Sequence, residues 1–104
     1  MICEIKREIN SDASAISTDL FKLICYTNCG FNNHAPFKYG IFILVGESAN
    51  LTINEKITGC CNEVVFRGMT LYEYIVGKDL SRIVCIAYDG ESLVYDTLEN
   101  IAKN

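Results

Sequence analysis

The sequence predicts an α+β fold: a single domain with a mainly antiparallel sheet of about five or six strands and two or three helices. A chain of 104 residues is close to the commonest size of one domain. Half of its residues are hydrophobic, about a fifth are charged and one is proline, a composition typical of folded proteins. Strand-like segments joined by short turns outnumber the helical ones, which favours hairpins over βαβ crossovers. We therefore expect residues 1–104 to form one domain.

The first two predicted elements are a strand and the longest helix. Residues 2–9 alternate in polarity, which predicts a half-buried strand. From residue 12 apolar side chains recur at helical spacing, so we predict a long helix near 12–26 with Ser11 or Asp12 as its N-cap. The buried face of the strand is expected to carry Cys3, Ile5 and Ile9.

The middle of the chain predicts a loop and three strands. Residues 27–38 are rich in asparagine and contain glycine and proline, as loops are. Residues 39–45 form a continuous apolar run, which predicts a central strand covered on both faces. Residues 51–56 alternate and predict a strand with one solvated face, and residues 62–67 predict another.

The last third predicts a hairpin between two short helices. Residues 69–77 have the pattern of a short amphipathic helix, and residues 96–103 predict another. Between them, the β-rich segments 82–88 and 91–95 flank Asp89-Gly90. An Asp-Gly pair in this position favours a tight primed turn, in which both central residues have positive φ.

The negative charge is concentrated in the second part of the chain. Residues 1–46 hold four acidic and four basic residues, whereas residues 47–104 hold nine acidic and five basic ones, so the net charge of -4 arises there. Nucleic-acid affinity requires clustered lysine and arginine. We therefore expect a basic protein partner and no nucleic acid.

The N-terminus and the cysteines predict a cytoplasmic protein that does not bind membranes. Residues 1–8 mix charges and lack the apolar stretch of a secretory signal. The apolar run at residues 41–45, like the other apolar runs of the sequence, is much shorter than the roughly 20 residues that span a bilayer. The six cysteines are then expected to be reduced thiols rather than disulfides.

No complete catalytic signature is present in the sequence. The glycines form neither a Walker A loop nor a G-x-G-x-x-G motif, and no serine lies in a G-x-S-x-G elbow. We therefore expect a protein that is not an enzyme and that uses no cofactor.

A cysteine-rich set offers an alternative function. The spacing of its first two cysteines corresponds to one turn of a helix with both thiols on one face, whereas zinc knuckles usually present C-x2-C. Structural, buried thiols are the main interpretation. A small thiol or zinc-binding protein is the alternative. The set consists of Cys25, Cys29, His34, Cys60 and Cys61.

The acidic C-terminal segment gives the main functional hypothesis. Surface tyrosines combine a rigid apolar ring with a hydroxyl and are enriched at protein interfaces, while carboxylates steer association with a basic partner. The acids also have local interpretations, as turn formers or at a helix N-terminus. The candidate partner-binding residues are Tyr88, Asp89, Glu91, Tyr95, Asp96 and Glu99.

This profile of small size, negative charge and absent catalytic motif is similar to that of immunity proteins of bacterial toxin systems. Such proteins block a basic nuclease by covering its active site, and phage-encoded inhibitors of host defence share the profile. The likeness implies a small acidic inhibitor or immunity-type protein that neutralises a basic partner such as a toxin nuclease. A third hypothesis is a subunit of a larger assembly, in which case the run 39–45 would be partly exposed in the isolated chain.

Overall fold

A computed structural model describes residues 1–7, 12–30, 35–46, 57–59 and 61–103. The predicted strand at residues 51–56 lies outside these residues, whereas residues 57–59 are helical. The elements with defined bounds are β1 (Ile2–Arg7), α1 (Ala13–Asn28), β2 (Gly40–Val45), β3 (Val64–Phe66), β4 (Met69–Thr70), α2 (Leu71–Tyr74), β5 (Ile83–Tyr88), β6 (Leu93–Thr97) and α3 (Leu98–Lys103).

Among the described residues, the main sheet has four strands in the order β1-β2-β5-β6. Within it β2 runs parallel to both β1 and β5, and β5 and β6 form an antiparallel pair. The α+β class is confirmed, but the prediction of a mainly antiparallel sheet is wrong. The cause is α1: a helix between two strands carries the chain back to the end where β1 began, so β2 pairs with β1 in the same direction.

Local signals define α1 at both ends. The Asp12 carboxylate accepts a hydrogen bond from the amide of Ala15 at 2.8 Å, which fixes the N-terminus as predicted. Gly30 follows the helix with φ of 79°, and its amide donates to the carbonyl of Cys25 at 3.2 Å. A residue with positive φ just after a helix is a common way to end it. The predicted helix near 12–26 is confirmed and extends to Asn28.

A separate two-stranded sheet precedes α2. β3 and β4 are antiparallel, with Phe66 opposite Met69, and the two residues that join them have positive φ, 47° at Arg67 and 79° at Gly68. These are the angles that a type I′ hairpin turn requires. α2 follows directly, and its capping box links the Thr70 hydroxyl with the amide of Glu73.

The described helical residues contribute to one buried cluster on one face of the main sheet. This covered face contains Phe42 and Leu44 of β2 and Cys85 of β5, each at most 1% exposed. Gly40 allows α1 to approach β2 closely, because a Cβ atom there would lie 3.2 Å from Cγ2 of the buried Thr27. The sheet residues in register on this face are Ile2, Glu4, Lys6, Gly40, Phe42, Leu44, Ile83, Cys85, Ala87, Val94 and Asp96.

The orientation of β1 is the reverse of the prediction. Cys3 and Ile5 are exposed, whereas Glu4 and Lys6 lie on the covered face. Lys6 Nζ lies 3.2 Å from Oδ2 of Asp19 in α1, whose side chain is only 7% exposed. The contact is an ion pair without hydrogen-bonding geometry. Because a buried carboxylate needs a counter-charge, Asp19 favours Lys6 on the inner face and so turns Ile5 outward.

Candidate protein-interaction surface

The face of the main sheet opposite the helices carries a continuous apolar surface, which we call the open face. Residues paired in register point to the same side of a sheet. The described buried cluster contains none of the open-face side chains. The open face consists of Cys3, Ile5, Arg7, Ile41, Ile43, Val45, Val84, Ile86, Tyr88, Leu93, Tyr95 and Thr97.

The edges of the open face are its most exposed parts. Ile5 of the edge strand β1 is 64% exposed, and Leu93 and Tyr95 of the opposite edge strand β6 are 55% and 73% exposed. At the centre, Ile43 and Ile86 are half-buried between their neighbours. Contiguous apolar surface rimmed by polar groups is a property of protein interaction sites.

Charge is nearly absent from the open face and lies at its margin. Arg7, at the C-terminal end of β1, is the one charged residue among the twelve that form the face. The acidic residues Asp89 and Glu91 lie in the turn between β5 and β6, next to the face. The surface therefore has an apolar centre with negative charge beside the hairpin.

The predicted β5–β6 hairpin is confirmed, but its turn differs from the prediction. Tyr88 pairs with Leu93, so the loop has four residues rather than two. Gly90 has positive φ, whereas Asp89 does not, so a primed turn with two positive φ angles does not form. Instead the Asp89 carboxylate accepts hydrogen bonds from the amides of Glu91 and Ser92, at 2.9 and 2.8 Å.

These hydrogen bonds give Asp89 a local structural role. Amide donation, chiefly from Ser92 and then from Glu91, lowers the pKa of Asp89. The Tyr88 hydroxyl donates to the carbonyl of Gly90 at 2.9 Å and fixes its ring beside the turn. Of the hairpin acids, Glu91 is left with an exposed side chain and no such turn-forming role.

Asp96 and Glu99 do not join the other candidate residues. Asp96 lies opposite Cys85 on the covered face, and its carboxylate accepts hydrogen bonds from the amide of Thr97 and the side chain of Asn100. Burial, together with the Asp96 charge, raises the pKa of Cys85 to about 12. Glu99 lies in the first turn of α3. The structure thus places Tyr88, Asp89 and Glu91 at the hairpin turn and Tyr95 on the same face as Tyr88, opposite Ile86. Asp96 lies on the other face of the sheet and Glu99 in α3.

Of the described members of the cysteine set, Cys25 and Cys61 are half-buried and Cys29 is exposed. Burial, followed by hydrogen bonding with Cys25, raises the pKa of Tyr74, and Cys29 contributes to the same effect. The thiol of Cys61 donates to the carbonyl of Ile57 at 3.5 Å, and burial raises its pKa. Within the described ranges no group of three or more His, Cys, Asp or Glu side chains could hold a metal. His34 and Cys60 lie outside those ranges, so the zinc alternative stays a prediction.

The sequence predicts one edge of the open face. Tyr88 and Tyr95 are among the candidate residues, whereas Ile5 and the run 39–45, which contains Ile43, are predicted to be buried. The expectation that the run 39–45 is covered on both faces is wrong for β2, whose residues alternate between buried and half-buried. The subunit hypothesis, which expects partial exposure of this run, stays a prediction.

No described helix has the length and apolar character needed to cross a membrane. Comparisons with protein-family models, curated proteins and solved structures found no match to this chain. The geometry of the open face and the charge beside it are therefore the basis for a functional proposal.

Proposed function

We propose that this chain is a non-enzymatic protein-binding domain, and that the open face is its binding surface. The observation that supports this most directly is the exposure of Ile5, Leu93 and Tyr95, which continues inward to half-buried isoleucines. The largest apolar patch on a typical monomer is roughly 300 to 600 Å², and such a patch is often functional. A bound protein would remove this apolar surface from water, which is favourable.

The size of the open face fits the apolar centre of an interface. Four strands about 4.8 Å apart and six residues long at about 3.3 Å per residue span on the order of 400 Å². A stable interface buries roughly 800 Å² on each partner, in which a polar rim surrounds a hydrophobic core. The open face supplies that core, and the hairpin turn with Asp89 and Glu91 supplies part of the rim.

The charge of the chain selects a basic partner. The chain carries a net charge of -4, and the acidic turn lies directly beside the open face. A partner with an apolar patch and nearby lysine or arginine residues would match both features, and its positive charge would accelerate association. A second copy of the chain brings the same negative charge and is disfavoured. An inhibitor or immunity-type protein that neutralises a basic target such as a toxin nuclease would act in this way.

A constitutive subunit is a second candidate function that uses the same surface. The half-buried Ile41, Ile43 and Val45 of β2 support it, since a permanent neighbour would complete their burial. A subunit copurifies with its neighbour in fixed stoichiometry and self-associates or aggregates alone. An inhibitor is stable as a free chain and binds its target when the target is present.

The test compares matched variants of exposed side chains. Leu93→Ser/Tyr95→Ser removes two anchors of the open face, and Val64→Ser/Tyr72→Ser removes two side chains that are 60% and 61% exposed elsewhere. Proteins captured by the wild-type chain are identified and purified, and their affinities for the wild-type chain and for both variants are measured. Since large interface anchors each contribute about 2 kcal/mol or more, the first variant should weaken binding at least about 100-fold. The control variant should stay within about twofold of wild type.

Charge reversals test the orientation of the partner. Glu91→Lys, beside the open face, should slow association and flatten its dependence on salt, because steering depends on nearby charge. Glu99→Lys, in α3, should change the association rate less. Equal losses for the two double-serine variants, or losses confined to the Val64/Tyr72 pair, would show that the open face is not the binding surface.

A further inference from the structure

We propose that the helical side of the molecule contains a binding site for a small, neutral, largely apolar molecule. The site is a cavity of about 220 Å³ between α1, α2, α3 and residues 57–59. It is separate from the open face, which lies on the other side of the sheet. The proposal is independent of any protein partner.

The described wall of the cavity is aliphatic in two layers. Ile75 and Ala102, both half-buried, present the apolar surface that a ligand can reach. Behind it lie four side chains that are each at most 2% exposed, Ile24, Ile57, Leu71 and Ile101. Close-packed protein interiors contain few voids larger than a water molecule. An apolar cavity of about 150 Å³ in another protein stays dry and binds benzene, so a cavity of this size with such walls is suited to an apolar ligand.

The mouth of the cavity is polar and neutral. Thr58, Asn62 and Tyr72 border it and are exposed, and the half-buried Cys61 lies beside them. Among the described residues that line it, none is charged. Hydroxyl and amide groups at the mouth can exchange hydrogen bonds with a ligand hydroxyl, whereas a buried ligand carboxylate would find no counter-charge among these residues.

These features define the ligand class. The cavity is smaller than the roughly 300 to 1,000 Å³ of sites for drug-sized molecules. Its occupant should therefore have an apolar body about as large as a substituted benzene or a six-carbon chain, with one neutral hydrogen-bonding end at the mouth. Hexan-1-ol and p-cresol represent this class, and hexanoate is a charged counterpart of the same length as hexan-1-ol.

The experiment follows isoleucine methyl groups by NMR during titration with each of these compounds. Isoleucines occur both in the cavity wall, at Ile24, Ile57 and Ile101, and on the open face, at Ile43 and Ile86. Hexan-1-ol and p-cresol should shift the wall methyls in a saturable manner and leave the open-face methyls unchanged. Hexanoate should bind at least about tenfold more weakly, because its charge would be desolvated.

A cavity-filling variant provides the matched control. Ala102→Leu adds a larger side chain at the cavity wall, and Ala35→Leu makes the same change at an exposed position. Affinity for hexan-1-ol should fall at least tenfold in Ala102→Leu and should not change in Ala35→Leu. Cys61→Leu, which enlarges a different wall residue, serves the same purpose if Ala102→Leu does not fold.

Three results would overturn the proposal. The first is the absence of saturable wall-methyl shifts with both neutral compounds. The second is a response confined to the open-face methyls, which would mean that the compounds only coat exposed apolar surface. The third is unchanged affinity in a folded, cavity-filled variant.

Discussion

Both faces of the main sheet carry large apolar side chains, but only one of them is covered by the described helices. The covered face packs Phe42, Leu44 and Cys85 against helices, each at most 1% exposed. The open face presents Ile, Val, Leu and Tyr side chains of similar size, and the outermost, Tyr95, is 73% exposed. A sheet with two apolar faces is typical of a structure with layers on both sides. The described part of this chain supplies one such layer, and a partner is the proposed second.

The edge strand β1 makes the difference between the faces most distinct. On the covered face it places Lys6 next to the buried Asp19, whereas on the open face it exposes Ile5. An inward-pointing charge such as Lys6 is a common protection of an edge strand against pairing with another sheet. The feature of β1 that bears on the open face is therefore Ile5, which is 64% exposed.

Neighbouring residues of β2 should differ strongly in their contribution to stability. Leu44 is 1% exposed on the covered face, and Ile43 is half-buried on the open face. Leu44→Ala should lower the free energy of unfolding by about 2 to 5 kcal/mol because it leaves a cavity. Ile43→Ala deletes the same number of carbons and should cost about 1 kcal/mol. Chemical denaturation measures both, and equal losses would mean that the open face is already covered in the free protein.

Removal of the β1 ion pair should have the next largest effect. Lys6→Met leaves the Asp19 carboxylate buried without a counter-charge and should destabilise the fold by about 2 to 3 kcal/mol. The loss should be smaller than for a fully buried ion pair, because the Lys6 side chain is 34% exposed and solvent weakens the interaction. Lys22→Met, at an exposed position of α1, should cost less than about 0.5 kcal/mol. Addition of Asp19→Asn to Lys6→Met should recover part of the loss. A lack of recovery would contradict the role assigned to the ion pair.

The hairpin turn should show a small dependence on pH. The lowered pKa of Asp89 means that its ionised form stabilises the folded turn above the ordinary aspartate range, and that this contribution is lost as pH falls through the lowered pKa. Protection of the Ser92 amide from hydrogen exchange should therefore decrease in acid, after correction for intrinsic exchange rates. Asp89→Asn should remove this dependence. Persistence of the same acid transition in that variant would assign it to another group, such as Asp79, whose pKa is also lowered.

The elements set by local sequence were predictable, because their determinants lie within a few residues. Asp12 caps α1, and the β5–β6 hairpin forms around Asp89 and Gly90. The type I′ turn, however, forms at Arg67-Gly68 and not at Asp89-Gly90. At the second site the Asp89 carboxylate accepts hydrogen bonds from the amides of Glu91 and Ser92, and the loop between the strands is longer. The hairpin was thus visible in the sequence, whereas its turn type depended on one side chain.

The parallel strand pairs and the open face depended on contacts between distant residues. Alternation in β1 gives two faces but does not say which is inside; the pairing of Lys6 with Asp19, 13 positions away, decides it. The apolar run of β2 is compatible with cover on two faces or one, and only the position of the helices distinguishes these cases. Gly40 carried a usable signal, since glycine within a strand often marks the close approach of another segment.

The most direct test of the open face as a binding surface uses two exposed cysteines of the same chain. Cys3 lies on the open face, and Cys29 lies at the C-terminal end of α1 on the helical side. Alkylation rates of both thiols are measured by mass spectrometry in the free chain and in complex with the purified partner. We expect the partner to slow alkylation of Cys3 at least about tenfold and to leave that of Cys29 unchanged. Protection of Cys29 with Cys3 still reactive would show that the partner binds elsewhere.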